Sequence, residues 1–178
     1  MADEKKETWL NYLALGTVIL AVCATLSTFK GGQYSTRAVM SQSQASNHWA
    51  YYQAKSIKAY VYEGQKEKLE LDLDTFGPQF DPQRRTDYEK RVQGYGQRIQ
   101  RYEKEKEEIF QQAKDLEAVR DASQRHSQAF GVAVIFLQIA ILLNSIAALM
   151  KRKPVWLLGT GIGVAGLASF VNGFFLLI

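Results

Sequence analysis

Three long stretches of the chain are almost entirely apolar, and a polar stretch of about 100 residues separates the first from the other two. They run from 9 to 29, from 130 to 150 and from 155 to 178, and none contains Asp, Glu, Lys or Arg. A helix of about 20 such residues, rising ~1.5 Å per residue, crosses a hydrocarbon layer of ~30 Å. The pattern therefore predicts three transmembrane helices.

The first apolar stretch could also be the core of a secretory signal, because Lys5 and Lys6 precede it. It is longer than the ~7–15 residues of such a core, and no A-x-A cleavage site closes it. These features favour a retained anchor. Cys23, the single cysteine, lies inside this stretch, so the sequence excludes a disulfide within the chain.

Basic residues near the ends of the spans predict the orientation of the chain. Lys5 and Lys6 precede the first span, and the turn 151–154 (KRKP) joins the second span to the third. Because basic residues in short loops resist translocation, we expect segment 1–8 and this turn to be cytoplasmic. The polar insert and the C-terminus would then lie on the periplasmic side of a bacterial inner membrane. Four basic residues at the ends of the insert argue in the opposite direction.

The polar insert, residues 30–129, is punctuated by glycine and proline. Lys30-Gly31-Gly32 predicts a break after the first span, with Ser35 as a candidate N-cap of the next helix. The segment 75–82 holds two of the three prolines, and Asp81 can cap a helix that begins with the proline after it. The insert is therefore predicted to be two helices joined at this tip.

Both predicted helices carry apolar or small residues at alternating steps of three and four, the spacing of a coiled coil. In the second helix these positions are Tyr88, Val92, Tyr95, Ile99, Tyr102, Lys106, Ile109, Ala113 and Leu116. In the first they are Ala38, Gln42, Ala45, Trp49, Tyr52, Ser56 and Ala59. Folding about the tip places Ala45 opposite Ala113, Trp49 opposite Ile109, and Ser56 opposite Tyr102. The sequence thus predicts an all-α membrane protein with an antiparallel helical-hairpin stalk between its first two spans.

Aromatic residues are concentrated in the segment 46–63, where Trp49 and Tyr52 fall on the predicted seam. We interpret these two as packing residues, because an aromatic stripe at helical spacing is more often core than ligand site. Tyr51, Tyr60 and Tyr62 lie off the seam. They are candidate contacts with a second copy of the chain, since tyrosine is enriched at protein interfaces.

The last span is rich in small residues, which let helices approach closely in a membrane. The positions are Gly159, Gly161, Gly163, Ala165, Ser169 and Gly173. The spans also contain three neutral amides, Gln138, Asn144 and Asn172, which we expect to form hydrogen bonds between helices. The absence of ionisable groups there argues against a pump or a proton-coupled carrier.

The residue inventory argues against catalysis, a metal site, a resident cofactor and nucleic-acid binding. The insert holds 17 Lys and Arg against 15 Asp and Glu, so it is a mixed surface rather than a basic patch. The two histidines, His48 and His126, are predicted to be solvated stalk residues and are too few for the usual zinc spacing. Asp72 and Asp74 resemble the start of a calcium loop, but Gln83 stands where its glutamate should be. No nucleotide-binding or hydrolase motif is present.

The segment QASNHWAYYQAK, Gln44 to Lys55, carries a family resemblance. It is similar to the motif Q-A-S-x-x-W-x-Y-Y-Q-A-K, which follows the first span in an uncharacterised bacterial family of membrane proteins known as a domain of unknown function. The resemblance implies this architecture over nearly the whole chain, including two closing spans joined by a basic turn. It departs at the N-terminal segment, which is short here, and it implies no activity.

Together these features predict a non-enzymatic, membrane-anchored structural or scaffolding protein. Its expected partners are the lipid bilayer and further copies of itself, which would assemble through the stalk and the glycine-rich last span. Two alternatives stay open. An accessory subunit of a larger membrane complex would use the same surfaces on a different partner, and an oligomeric channel would line a neutral pore with several copies.

Overall fold

The structure, a computed structural model, describes the backbone of residues 4–176 and the side chains of residues 8–176. It contains three α-helices, α1 (Glu4–Phe76), α2 (Pro82–Met150) and α3 (Lys153–Phe175), and a 3₁₀ turn at Gly77–Gln79. Residues 4–176 contain no strand. All three helices are long and apolar enough to span a membrane. The prediction of an all-helical chain with three such helices is confirmed.

Helix α1 continues through Lys30, Gly31 and Gly32, so the predicted break there is wrong, and Ser35 lies inside the helix. Gly31 is buried, and its carbonyl oxygen accepts a hydrogen bond from Ser127 Oγ at 3.1 Å. A Cβ at Gly31 would come within 3.2 Å of Phe130 Cβ. Each glycine costs about 1 kcal/mol of helix propensity relative to alanine. The close approach of α2 at Gly31 offsets this cost, and the helix does not end.

Local sequence signals account for the start of α2 and the start of α3. Asp81 Oδ1 accepts hydrogen bonds from the backbone N–H groups of Gln83 and Arg84 at 3.1 and 2.9 Å, which confirms the predicted cap of α2. The helix ends at Met150, where the second span was predicted to end. Pro154 lies in the first turn of α3. Helix α3 ends at Phe175, three residues before the predicted end of the span at 178, and residues 177–178 lie outside the described range.

The chain forms two compact units. The membrane unit comprises the described residues up to Met40 together with those from Val119 onward. The stalk unit comprises Ser41–Ala118. The predicted insert, 30–129, extends beyond the stalk unit at both ends, and the division of the chain at the membrane surface remains a prediction.

Glycine contacts define how α3 packs in the membrane unit. Gly159 lies against Asn144 and Leu143, Gly166 against Leu137, and Gly173 against Phe130, so the partner on α2 falls in number as α3 advances. Leu137 and Phe130 are fully buried. Because these glycines lack Cβ atoms, large side chains of α2 contact the backbone of α3 directly.

The outer surface of the membrane unit is apolar on all three helices. Its exposed large side chains include Leu15, Val18, Val22, Leu26, Phe29, Ile135, Leu142, Leu149, Leu157, Leu158, Val164, Val171 and Phe175. Such a surface is expected where a helix faces hydrocarbon rather than water. This distribution is consistent with a multi-pass membrane protein.

Replacing Gly166 by alanine is expected to destabilise the membrane unit by about 1–3 kcal/mol through overpacking. The added Cβ would lie 2.9 Å from Leu137 Cγ and 3.0 Å from the Leu137 backbone nitrogen, which cannot rotate away. Gly161→Ala is the matched control, because no atom lies within 4 Å of a Cβ there. Thermal unfolding in detergent measures the difference. Equal unfolding midpoints for the two variants would contradict this packing.

Candidate functional site

Trp49 links the two arms of the stalk unit. Its ring makes edge contacts with Phe110 and Tyr52, at centroid distances of 5.5 and 5.8 Å. Its Nε1 donates a hydrogen bond to Glu117 Oε1 at 2.9 Å. The sequence prediction placed Ile109 opposite Trp49. Ile109 is buried, but the aromatic neighbour of Trp49 is the next residue, Phe110.

Tyr62 packs within the chain, although it was predicted to be available for a second copy. Its ring stacks on Tyr102 with centroids 5.8 Å apart and lies 5.6 Å from the ring of Tyr95. Arg98 Nη1 donates a hydrogen bond to the Tyr62 hydroxyl at 3.1 Å. Tyr62 therefore belongs to the contact between α1 and α2, together with the predicted seam residues Tyr95 and Tyr102.

Most of the other predicted seam positions are buried or half-buried, while Gln42 is exposed. Ala45, Ala59, Tyr102, Ile109 and Ala113 are buried. Trp49, Tyr52, Ser56, Tyr88, Val92, Tyr95 and Ile99 are half-buried. Near the tip, the rings of Tyr88 and Phe80 lie 5.1 Å apart. Apart from Gln42, the predicted seam positions are therefore at least partly covered by protein.

A second line of small and apolar residues runs along α1 in the stalk unit, and the prediction missed it. This outer stripe consists of Ala50, Ala54, Ile57, Val61 and Gly64, again at alternating steps of four and three, and every member is exposed. Tyr51 and Tyr60 flank it and are 53% and 67% exposed. The spacing is visible in the sequence, where Ala50 and Ile57 follow seam positions by one residue and Ala54 and Val61 follow them by two. The described contacts leave the outer stripe and these two tyrosines facing outward.

Lys55 and Glu105 form an ion pair between the two arms, with Nζ 2.5 Å from Oε2. The hydrogen bond from Lys55 lowers the pKa of the Glu105 carboxyl. The same bond raises the pKa of the Lys55 ammonium group. Within α2, a hydrogen bond to Glu103 likewise raises the pKa of Lys106. A lysine of the first arm is thus paired with a glutamate of the second.

The small residues predicted in the last span divide into two groups. Gly159, Gly163 and Gly173 are buried against other helices of the membrane unit. Ser169 is half-buried. Gly161 and Ala165 are exposed, and nothing lies within 4 Å of a Cβ at Gly161. Gly166, which the prediction missed, is buried with the first group.

Asn144 is the buried amide of the membrane unit, with 2% of its surface exposed. Its Oδ1 has no hydrogen-bond partner among the described residues, although a bond between helices was predicted. A Cβ on Gly159 would lie 2.5 Å from this oxygen. Of the other two predicted amides, Gln138 is exposed, and the backbone oxygen of Asn172 accepts a hydrogen bond from the Leu176 N–H at 2.8 Å.

His126 is half-buried in the membrane unit, so its prediction as a solvated stalk residue is wrong. Its ring stacks on Tyr34 with centroids 4.5 Å apart. Its Nδ1 lies 2.8 Å from the carbonyl oxygen of Gly173 and must donate, because a carbonyl only accepts. His48 is also half-buried. Among the described residues, no group of three or more His, Cys, Asp or Glu could hold a metal ion.

Three helices that are long and apolar enough to span a membrane, with exposed apolar side chains along them, are consistent with a helical multi-pass membrane protein. The chain belongs to the DUF4337 family, a domain of unknown function, whose family model matches residues 9–176. This confirms the predicted membership in a family of unknown function. No curated protein and no solved structure matches the chain. The quoted motif and the bacterial origin remain predictions.

Removing the Lys55–Glu105 pair should change how stability depends on pH. Because the folded-state pKa of Glu105 is lowered, its contribution is present above the unfolded value near 4.5 and is lost as pH falls through the folded value. Glu105→Gln should therefore lower the unfolding midpoint at pH 7, and its difference from wild type should shrink at acidic pH. Glu67→Gln removes an exposed carboxylate without an ion pair among the described residues. Equal pH profiles for the two variants would contradict the assignment.

Proposed function

We propose that this protein is a membrane-anchored structural or scaffolding protein that assembles with copies of itself. The observation that carries the proposal is the outer stripe on α1. Its line of small and apolar residues is exposed in the described chain and has the three-four spacing of a helix-packing surface. Apolar residues that recur in this way on a polar segment mark a contact with another protein surface.

The stalk in this proposal is an antiparallel coiled-coil hairpin. Its support is the order of the contacts, because Trp49 contacts Phe110, Lys55 contacts Glu105, and Tyr62 contacts Tyr95 and Tyr102. The partner falls in number as α1 advances. The first seam is then used within the hairpin, and the outer stripe is left for a neighbouring copy.

Neighbouring copies inserted in the same orientation would bring their α1 helices together in parallel. In that arrangement Ala54 and Val61 occupy one set of core positions of a two-stranded coiled coil, and Ala50, Ile57 and Gly64 occupy the other. Ala50, Ala54 and Gly64 let the two helices approach closely, while Ile57 and Val61 provide the apolar area. Tyr51 and Tyr60 flank the contact and would cover its edges.

The free energy available from this contact is too small for the stalk alone to hold two copies together. Ile57 and Val61 are 56% and 52% exposed, so each has about half of its surface left to bury. At ~1.5–3 kcal/mol for complete burial, a pair of copies gains on the order of 4 kcal/mol from these side chains, against ~8 kcal/mol for micromolar affinity. Confinement in the bilayer and a second contact would supply the rest.

The outward face of α3 is the candidate for that second contact. Gly161 and Ala165 are exposed and lie four residues apart, so another helix could approach the backbone of α3 there. The inward glycines of α3 are already in contact with α1 and α2.

In the proposed location, a bacterial inner membrane, the N-terminus and the KRK turn are cytoplasmic and the stalk is periplasmic. The support is the basic sequence of residues 151–153 between two membrane-length helices. The side chains of Lys5 and Lys6, the other basis of this orientation, lie outside the described residues.

Native mass spectrometry of the tagged protein, extracted gently from its own membrane, tests self-assembly. We expect one defined multiple of the 20.1 kDa chain. The double variant Ala54→Lys, Val61→Lys should shift this species toward monomer, because it places charges in the outer stripe. Gln97→Lys, Gln100→Lys adds the same charge on exposed positions of α2 and should leave the multiple unchanged.

A monomer in the wild type, without crosslinked species in native membranes, would overturn the proposal. Foreign chains that co-elute in fixed stoichiometry would instead assign the outer stripe to a larger complex, the accessory-subunit function. Loss of assembly in both double variants would show that added charge, rather than the stripe, is responsible.

The contact on α3 can be tested separately. Gly161→Leu is expected to reduce the assembled fraction several-fold, because a large side chain prevents close approach of another helix. Gly161→Ala retains a small residue and should assemble like the wild type. Crosslinking in membranes measures both, and wild-type assembly of Gly161→Leu would show that this face of α3 is not used.

A further inference from the structure

A cavity of about 220 Å³ lies in the membrane unit between α1 and α3, with one residue of α2 in its wall. Tyr12, Gly16, Leu20, Trp156 and Gly163 form much of its surface, and none of its lining residues is charged. Several lining residues have exposed side chains, so the cavity opens toward the outer surface of the unit.

The residue contributed by α2 is Asn144. Its side chain is 98% shielded, and its Oδ1 has no hydrogen-bond partner among the described residues. An unpaired polar group away from water costs about 1–3 kcal/mol, so such groups are usually satisfied. Oδ1 lies against Gly159 of α3, which is outside the cavity wall. A half-turn of the carboxamide exchanges Oδ1 and Nδ2, so the amide can turn either a donor or an acceptor toward the cavity.

We propose that this cavity binds a neutral, lipid-like molecule through a hydroxyl group that forms hydrogen bonds with Asn144. A hydroxyl both donates and accepts, so it complements either orientation of the carboxamide. The uncharged wall offers no counterion for a carboxylate, phosphate or ammonium headgroup, whose burial without a partner is strongly unfavourable. The apolar wall and the opening toward the outer surface accommodate the hydrocarbon part of the molecule.

The volume limits which part of such a molecule enters. A cavity of about 220 Å³ holds a hydroxyl and several methylene groups, but not a complete long-chain lipid. The remainder of the chain would extend along the exposed side chains of Ile19 and Val164 at the rim. A primary alcohol of a long alkyl chain is the simplest molecule with this shape.

The test uses the full chain in phosphatidylcholine vesicles and a long-chain alcohol carrying a diazirine on its third or fourth carbon. After irradiation, mass spectrometry of the peptides locates the label. We expect labelling around Gly16 and Thr160, competed by unlabelled alcohol. The matched methyl ether, which cannot donate a hydrogen bond, should label these peptides about threefold to tenfold less, the change expected for one hydrogen bond.

Two variants test the cavity and the amide independently. Gly16→Leu fills the cavity without a clash, because nothing lies within 4 Å of a Cβ there, and it should abolish the label at this site. Gly131→Leu adds the same side chain at an equally open position elsewhere on the unit and should not. Asn144→Leu should remove the preference for the alcohol over the ether while leaving some labelling by both.

Three results would overturn the proposal. Equal labelling by alcohol and ether in the wild type would show that the site accepts any alkyl chain. Unchanged labelling in Gly16→Leu would place the probe elsewhere. A change of assembly state in Gly16→Leu, without specific labelling of the wild type, would mean that another copy of the chain occupies the cavity. The inference does not depend on the proposed scaffold function, since labelling is measured independently of assembly.

Discussion

The membrane unit depends on the absence of side chains along one face of α3. Gly159, Gly166 and Gly173 place the α3 backbone directly against Asn144, Leu137 and Phe130 of α2. In hydrocarbon there is little hydrophobic gain from bringing apolar helices together, so close van der Waals packing must hold them. The same closeness buries the Asn144 amide and brings His126 within hydrogen-bond distance of the carbonyl oxygen of Gly173. The cavity beside Asn144 is the place where this packing is incomplete.

The sequence predicts those features of the structure that depend on neighbouring residues, and it fails for features that depend on distant contacts. Apolar length predicts the three helices, and Asp81 with the following proline predicts the start of α2, because neither needs a distant partner. The break expected at Gly31 fails for the opposite reason. The contacts that keep the helix intact there come from Ser127 and Phe130, about 100 residues away.

The candidate contact surfaces also combine features that the sequence predicts with features that depend on distant contacts. The three-four spacing identifies seam positions such as Ala45 and Ile109, but it does not show that Tyr62 turns onto Tyr102 and is used within the chain. Small residues four apart in the last span are equally consistent with inward and outward packing. Only the arrangement of all three helices separates buried Gly163 from exposed Gly161. The lack of a hydrogen-bond partner for Asn144 Oδ1 among the described residues has the same origin.

Exposed apolar residues have different meanings in the two units, and this difference is the reason for placing the proposed assembly contact on the stalk unit. On the membrane-length segments, a side chain such as Leu157 or Phe29 needs no protein partner, since lipid suffices. The stalk unit is rich in charged residues, so its exposed Ala54, Ile57 and Val61 do not belong to an apolar stretch that lipid could surround. Ala50 and Ile57 follow seam positions by one residue, and Ala54 and Val61 follow them by two, which is about 100° or 200° of rotation on a helix. The outer stripe therefore lies on a different face of α1 from the seam. In the proposed assembly, this second apolar face of α1 is the surface that a helix of a neighbouring copy would cover.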